Sequence, residues 1–118
     1  MAEYFRRGDI VRVRLDPTEG SEQGGVRQAV VLSPDLINAN SPVILVAPLS
    51  SKKMDRLFPF EALLMPHTGG LPMISKAMLM QMRLIDRRCV VSSIGKASPS
   101  VIQQIDKAIQ IAAELQRL

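Results

Sequence analysis

Histidine and cysteine are nearly missing from this chain, with one of each, His67 and Cys89, in 118 residues. A zinc site draws several ligands from those two types, so no metal centre of that kind has its donors here. Paired imidazoles for acid–base work are excluded by the same count. A Ser-His-Asp triad could recruit only His67, which stands in a Pro/Gly turn sequence with no nucleophile elbow nearby. The lone cysteine rules out an internal disulfide and agrees with a reducing compartment. Aromatics are scarce as well: Tyr4, Phe5, Phe58 and Phe60, and no tryptophan. Nucleic-acid binding dominated by base stacking is therefore not expected, and charge and hydrogen bonds would have to dominate. No uncharged apolar run reaches the roughly 18 residues of a membrane span. The first residues, Met-Ala-Glu-Tyr-Phe-Arg-Arg, lack the apolar stretch of a secretory signal, so a cytoplasmic protein is expected. Phosphate-binding loops and dinucleotide fingerprints are absent too, and the expectation is no cofactor.

What is present is enough apolar material, 47% of residues, to close one core, and a single domain over residues 1–118 is expected. The net charge of +4 is mild, but the basic residues cluster: Arg6-Arg7, Arg12 with Arg14, Lys52-Lys53 with Arg56, and Arg83 with Arg87-Arg88. Such clusters either converge into a patch that attracts a polyanion or merely solubilise the surface.

Residues 10–15 alternate, with Val11, Val13 and Leu15 on one face and Arg12 and Arg14 on the other, which predicts a half-buried strand. A polar, glycine-rich loop follows to Val26. Residues 29–32 and 43–47 are short apolar runs bounded by Ser-Pro and Pro-Leu-Ser, and both predict strands. Residues 35–41 and 51–56 read as loops, 58–65 as a strand with Pro59 marking an edge or bulge, and 66–72 as a turn region. Residues 77–82 are ambiguous; as a strand they put Gln81 and Arg83 on one face. Residues 90–94 predict a further strand. The C-terminal segment predicts a helix from Ser98 or Ser100, with Pro99 suited to a first helical position, a capping box from Ser100 and Gln103, and a stripe of Ile102, Ile105, Ile109 and Ala112, widened by Val101, Ala108 and Leu115. The sum is an α+β fold, a small antiparallel barrel with one helix packed beside it.

With histidine, cysteine and metal chemistry removed, the available groups are arginine, carboxylate, hydroxyl and backbone amide. That set can cleave RNA: the ribose 2′-hydroxyl attacks the adjacent phosphorus, and a fixed guanidinium holds the charge that builds on the phosphate oxygens. DNA has no 2′-hydroxyl and is not cut by this route. Arg27, at the end of the glycine-rich loop, is the natural candidate.

The same residues carry a likeness. Residues 15–34 contain Asp-Pro-Thr-Glu-Gly-Ser-Glu-Gln and, after it, Arg27 followed by Val-Val-Leu-Ser-Pro. With Gly8-Asp9-Ile10-Val11, Val46-Ala-Pro-Leu-Ser50, Pro59-Phe60-Glu61, Gln81-Met-Arg83, Ile85-Asp86 and Ile94-Gly95-Lys96, the order and spacing resemble the MazF/PemK family of toxin endoribonucleases along nearly the whole chain. The resemblance implies an SH3-like barrel of the plasmid-maintenance type with a C-terminal amphipathic helix, acting as a homodimer. It implies metal-free, sequence-selective cleavage of single-stranded RNA, mRNA included, to 2′,3′-cyclic phosphate and 5′-hydroxyl ends, and control by a cognate antitoxin. It makes Arg27 catalytic, with the Ser50 hydroxyl assisting, and places Ser21, Glu22, Gln23 and Gly24 in the loop that lines the RNA site. Lys52, Lys53, Gln81 and Arg83 complete the RNA-binding candidates. Three positions depart from the family pattern: Gln28 stands where proline is usual, Ser50 where threonine is commoner, and Met80 where an acid is frequent.

Each candidate also has a plain structural role open to it. Arg27 could bond loop carbonyls, Ser50 could end a strand, Glu22 could solvate the loop, and Gln81 could sit in a dimer face. An arginine with a pKa above about 12 is a poor base near neutrality, so Arg27 fits charge stabilisation and the leaving oxygen. The base stays open, with Glu22 a weak candidate. Two other activities share the barrel: poisoning of DNA gyrase by binding, and RNA binding without cleavage.

Overall fold

Ile10 and Val11 are neighbours in sequence and both are 0% exposed, although successive residues of a strand point to opposite faces. Their strand is therefore covered on both sides. In this computed structural model, residues 5–14, 25–65 and 70–114 are described. They form β1 (Asp9–Arg14), β2 (Val26–Val31), α1 (Asp35–Asn40), β3 (Val43–Ser50), β4 (Glu61–Leu64), β5 (Ser75–Met78), β6 (Arg83–Asp86), β7 (Val90–Lys96) and α2 (Pro99–Ala112). Single 3-10 turns at Leu79–Gln81 and Arg87–Cys89 flank β6.

The sheet runs β4-β5-β3-β2-β1-β7, and β6 also pairs with β3. All its pairings are antiparallel. Two register shifts in the β1–β7 pairing, beside Val11 and Val13, strengthen the twist and help the sheet curl. The α+β class and the terminal helix are as the sequence predicts. The barrel is a loose description, because among the described residues the end strands β4 and β7 do not pair and the sheet stays open.

Two cores follow from this curl. On one face, Ile10, Val30, Ala47, Leu64 and Leu79 pack with Val101, Ile105 and Ala108 of α2. On the other, Val11, Val13, Ala29, Val31, Ile44, Val46 and Ile85 pack together, flanked by Phe5, Cys89 and Val90. The half-buried pattern expected of β1 holds only from Arg12 onward, where Arg12 and Arg14 are exposed.

Four local expectations change. Residues 35–40 form a helical turn, fixed by fully buried Asn38, whose Nδ2 donates to the Ser33 carbonyl at 2.8 Å. The strand expected from 58 begins only at Glu61, because Pro59 sits in a turn closed by the Glu61 N–H to the Phe58 carbonyl at 2.9 Å. The single strand expected at 77–82 is interrupted by the 3-10 turn, which carries Leu79 into the helix-side core. Of the two expected helix starts the cap is Ser98, whose Oγ accepts the Val101 N–H at 3.3 Å; Ser100 is already inside α2, so the capping box expected there is not the cap. Pro99 sets this start, since its fixed φ suits the position after the cap. Leu115 and His67 lie outside the described residues.

Gly8 ties the cores together. Its φ of +92° is a left-handed conformation, and a Cβ there would sit 2.7 Å from Ile102 Cδ1 of α2. Its N–H donates to the Val31 carbonyl and its carbonyl accepts from the Ala97 N–H, both at 2.8 Å.

Ile105 is the centre of the helix-side core. Ile105→Ala is expected to lower stability by about 2–5 kcal/mol, read as a fall in the urea midpoint at unchanged m-value.

Candidate active site

Antiparallel register decides which polar residues meet. Val13 of β1 pairs with Arg27 of β2, and Ala29 pairs with Pro48 of β3. Carried two residues on, the β2–β3 register sets Arg27 across from Ser50. Both belong to the face of Ala29 and Val46, away from α2. The last turn of the sheet thus brings together a guanidinium and a hydroxyl separated by more than twenty residues of sequence.

Arg27 is exposed and lines three adjoining hollows. The first, of about 230 Å³, has an apolar floor of Val13, Ala29, Val46 and Pro48 and a polar rim of Arg27, Gln28, Gln81 and Arg83. The second, of about 530 Å³, holds Gly25, Arg27, Ser50, Ser51 and Lys52. The third, of about 360 Å³, adds Arg12, Ser51 and Met73. Gln81 and Arg83 do converge, but through the 3-10 turn and the start of β6 and not along one strand. Lys53 is exposed on the loop after β3, with φ +54°. Ser21, Glu22, Gln23 and Gly24 lie outside the described residues.

The Ser50 Oγ accepts the Lys52 N–H at 3.1 Å. That bond uses a lone pair, so the hydroxyl proton is left to donate into the hollow. Gln28 sits within β2 opposite Arg12, and the ladder to β1 holds the backbone of Arg27 despite the missing proline. Met80 is exposed beside Gln81.

The arginine clusters divide into two kinds. Arg6 pairs with Asp35, Arg7 with Asp106 and Arg88 with Asp86. Arg87 donates to the carbonyls of Asn38 and Ser41 at 2.9 and 3.3 Å. No salt bridge among the described residues involves Arg12, Arg14, Arg27 or Arg83. Among the described residues, these arginines without a carboxylate partner lie toward the Arg27 end of the sheet, where they can meet a polyanion.

A buried ion pair, Lys76 with Glu61 at 3.2 Å, lies beneath the loop that follows Ser50 and is absent from the sequence-based candidates. Its signal in the sequence is a single charge inside the apolar strand Ser-Lys-Ala-Met. No three His, Cys, Asp or Glu side chains group as a metal site among the described residues, and no helix there is long and apolar enough to cross a membrane.

An open, curled antiparallel sheet thus carries one helix across its back, with Arg27 and Ser50 lining one hollow at its free end. The profile described as "PemK-like, MazF-like toxin of type II toxin-antitoxin system" matches residues 6–113, and the chain belongs to that family. It is 37% identical over 116 residues to the endoribonuclease MazF9 of Mycobacterium tuberculosis, covering 94% of this chain and 98% of the relative. With the endoribonuclease EndoA of Bacillus subtilis it shares 31% identity over 110 residues, covering 93% and 95%. Among solved structures, a mycobacterial endoribonuclease superposes with a TM-score of 0.80 at 14% identity over 100% of this chain and 99% of that one. A mycobacterial endoribonuclease in complex with its cognate antitoxin superposes at 0.78 and 15% identity, over 97% and 99%, so the fold is shared.

The Arg88 guanidinium bonds the Asp86 carboxylate at 2.9 and 3.0 Å, and the Arg88 N–H caps it at 2.8 Å. These bonds hold the Asp86 carboxyl down at about 2. A depressed value means the contribution of this cap to stability is complete above the ordinary 3.8 and is lost as pH falls through about 2. NMR titration of the Asp86 carboxyl is expected to show a midpoint near 2, rising toward 3.8 in Arg88→Ala.

Proposed function

We propose that this chain is a metal-independent endoribonuclease, the toxin of a type II toxin–antitoxin pair, which cuts single-stranded RNA, mRNA included, at short sequences and so blocks translation and growth. The observation that carries the proposal is that Arg27 of β2 and Ser50 of β3 line one hollow, at the end of the sheet where Arg12, Arg14, Arg27 and Arg83 meet no carboxylate among the described residues. The endoribonuclease names of the two curated relatives support it.

In the proposed reaction the 2′-oxygen forms a bond to phosphorus as the bond from phosphorus to the 5′-oxygen breaks. The proton of the 2′-hydroxyl leaves to a base, and the 5′-oxygen gains one, giving 2′,3′-cyclic phosphate and 5′-hydroxyl ends. Arg27 bridges two phosphate oxygens in a fork and stabilises the charge of the pentacoordinate state. Ser50 donates its free proton to a phosphate oxygen. The hollow rimmed by Gln28, Gln81 and Arg83 offers forked donors and amides over an apolar floor, suited to a nucleobase edge and face. Lys52 and Lys53 follow the backbone, and Ser21, Glu22, Gln23 and Gly24 contribute further contacts to the RNA. The protein works as one domain in the cytoplasm and as a homodimer, and a cognate antitoxin restrains it, as the complex formed by one of its structural neighbours supports.

Purified protein incubated with a long RNA in EDTA should cut it at a short recurring sequence, with ends of the stated kind. Arg27→Ala should slow cleavage about 100- to 1000-fold. Intact RNA with the wild-type protein would overturn the nuclease assignment, and equal cleavage by both proteins would remove Arg27 from its role.

A further inference from the structure

The strand order places β5 between β3 and β4, so the connection 51–60 must cross β5 to join them. A segment crossing a sheet has no neighbouring strand to satisfy its carbonyls, and buried carbonyls need donors. Lys76 of β5 supplies them. Its Nζ donates to the carbonyls of Lys53 and Arg56, each at 3.2 Å, and meets Glu61 Oε1 at 3.2 Å. An ammonium has three protons, and three acceptors surround this one. Lys76 is 5% exposed and Glu61 9%. The same Glu61 oxygen accepts the Phe58 N–H at 3.0 Å, so both halves of the crossing are tied to one buried pair. Lys53 holds a left-handed backbone at φ +54°, a conformation that costs a lysine free energy and needs fixing from outside. Further along, Phe58 stacks on Phe60 with centroids 5.1 Å apart and carries the Arg56 guanidinium 5.3 Å above its ring. Register completes the picture: Lys76 pairs directly with Ser50.

We propose that Lys76 is a positioning residue for RNA cleavage. It clamps the crossing so that Lys52, Lys53 and Arg56 flank Ser50 along the path of the RNA backbone. The inference rests on Arg27 and Ser50 being the reacting pair. All three Lys76 protons are engaged within the protein, so it acts through the loop and does not touch the phosphate. A purely structural pair would behave differently, since replacing a buried ion pair with apolar residues is often neutral for folding.

The test compares wild type with Lys76→Met/Glu61→Leu and with Lys76→Gln/Glu61→Gln; neither leaves a charge buried alone, and the second keeps a donor in the cage. Cleavage of one RNA is measured in EDTA at several salt concentrations, beside thermal melting. Lys76→Met/Glu61→Leu should melt near wild type, and KM should rise about tenfold with kcat changed less. The dependence of log KM on log salt should become shallower by roughly 0.7 for each phosphate that the loop ceases to neutralise. Lys76→Gln/Glu61→Gln should fall between the two, and it reads the same split if Lys76→Met/Glu61→Leu does not fold. Wild-type KM and salt slope in a folded variant would overturn the role of Lys76. Absence of cleavage by wild type would instead overturn the nuclease reading on which it rests.

Discussion

Burial of β1, β2 and β3 on both faces is the constraint on which the rest of the molecule depends. α2 covers one face through Ile105 and Ala108, and the curl of the sheet covers the other with Ile85 and Val90. Strands buried on both sides have room for polar side chains only at their ends. Arg27 opens β2 and Ser50 closes β3, so the hydrophobic cores exclude chemistry from the sheet centre and gather it at one edge. A rigid ladder then holds these groups, which favours a preorganised site over one built on loops alone.

Charge is sorted by the same architecture. The arginines at residues 6, 7 and 88 lie where the chain turns back on itself and are neutralised by Asp35, Asp106 and Asp86. Those of the free end lie on strand positions that face outward and meet no carboxylate among the described residues. The modest net charge of +4 therefore understates the local field at the site.

Topology imposes one further cost. Inserting β5 between β3 and β4 forces the loop after Ser50 over a strand, and the Lys76–Glu61 pair makes that crossing tenable. The residue that settles the shape of the basic loop is thus buried, while the loop itself is exposed. Loop shape and substrate path meet in one ion pair beside the proposed catalytic hydroxyl.

Several features were legible in the residues alone because local chemistry sets them. Alternation and β-branching mark β1, β2 and β3; Pro99 and the stripe of Ile102, Ile105, Ile109 and Ala112 mark α2, whose buried centre in the structure is Val101, Ile105 and Ala108. The exclusion of histidine, cysteine and zinc chemistry is a matter of composition, and the ordered motif series indicated the family. Other features needed tertiary contacts. The turn at 35–40 depends on the bonds of buried Asn38, and the break at 79–81 on Leu79 entering the core beneath α2. The meeting of Arg27 and Ser50 in one hollow, the sorting of the arginines into those paired with carboxylates and those that meet none among the described residues, and the cage around Lys76 all join residues distant in sequence. Propensity and periodicity are properties of neighbours along the chain, whereas register and burial are decided only when strands choose partners.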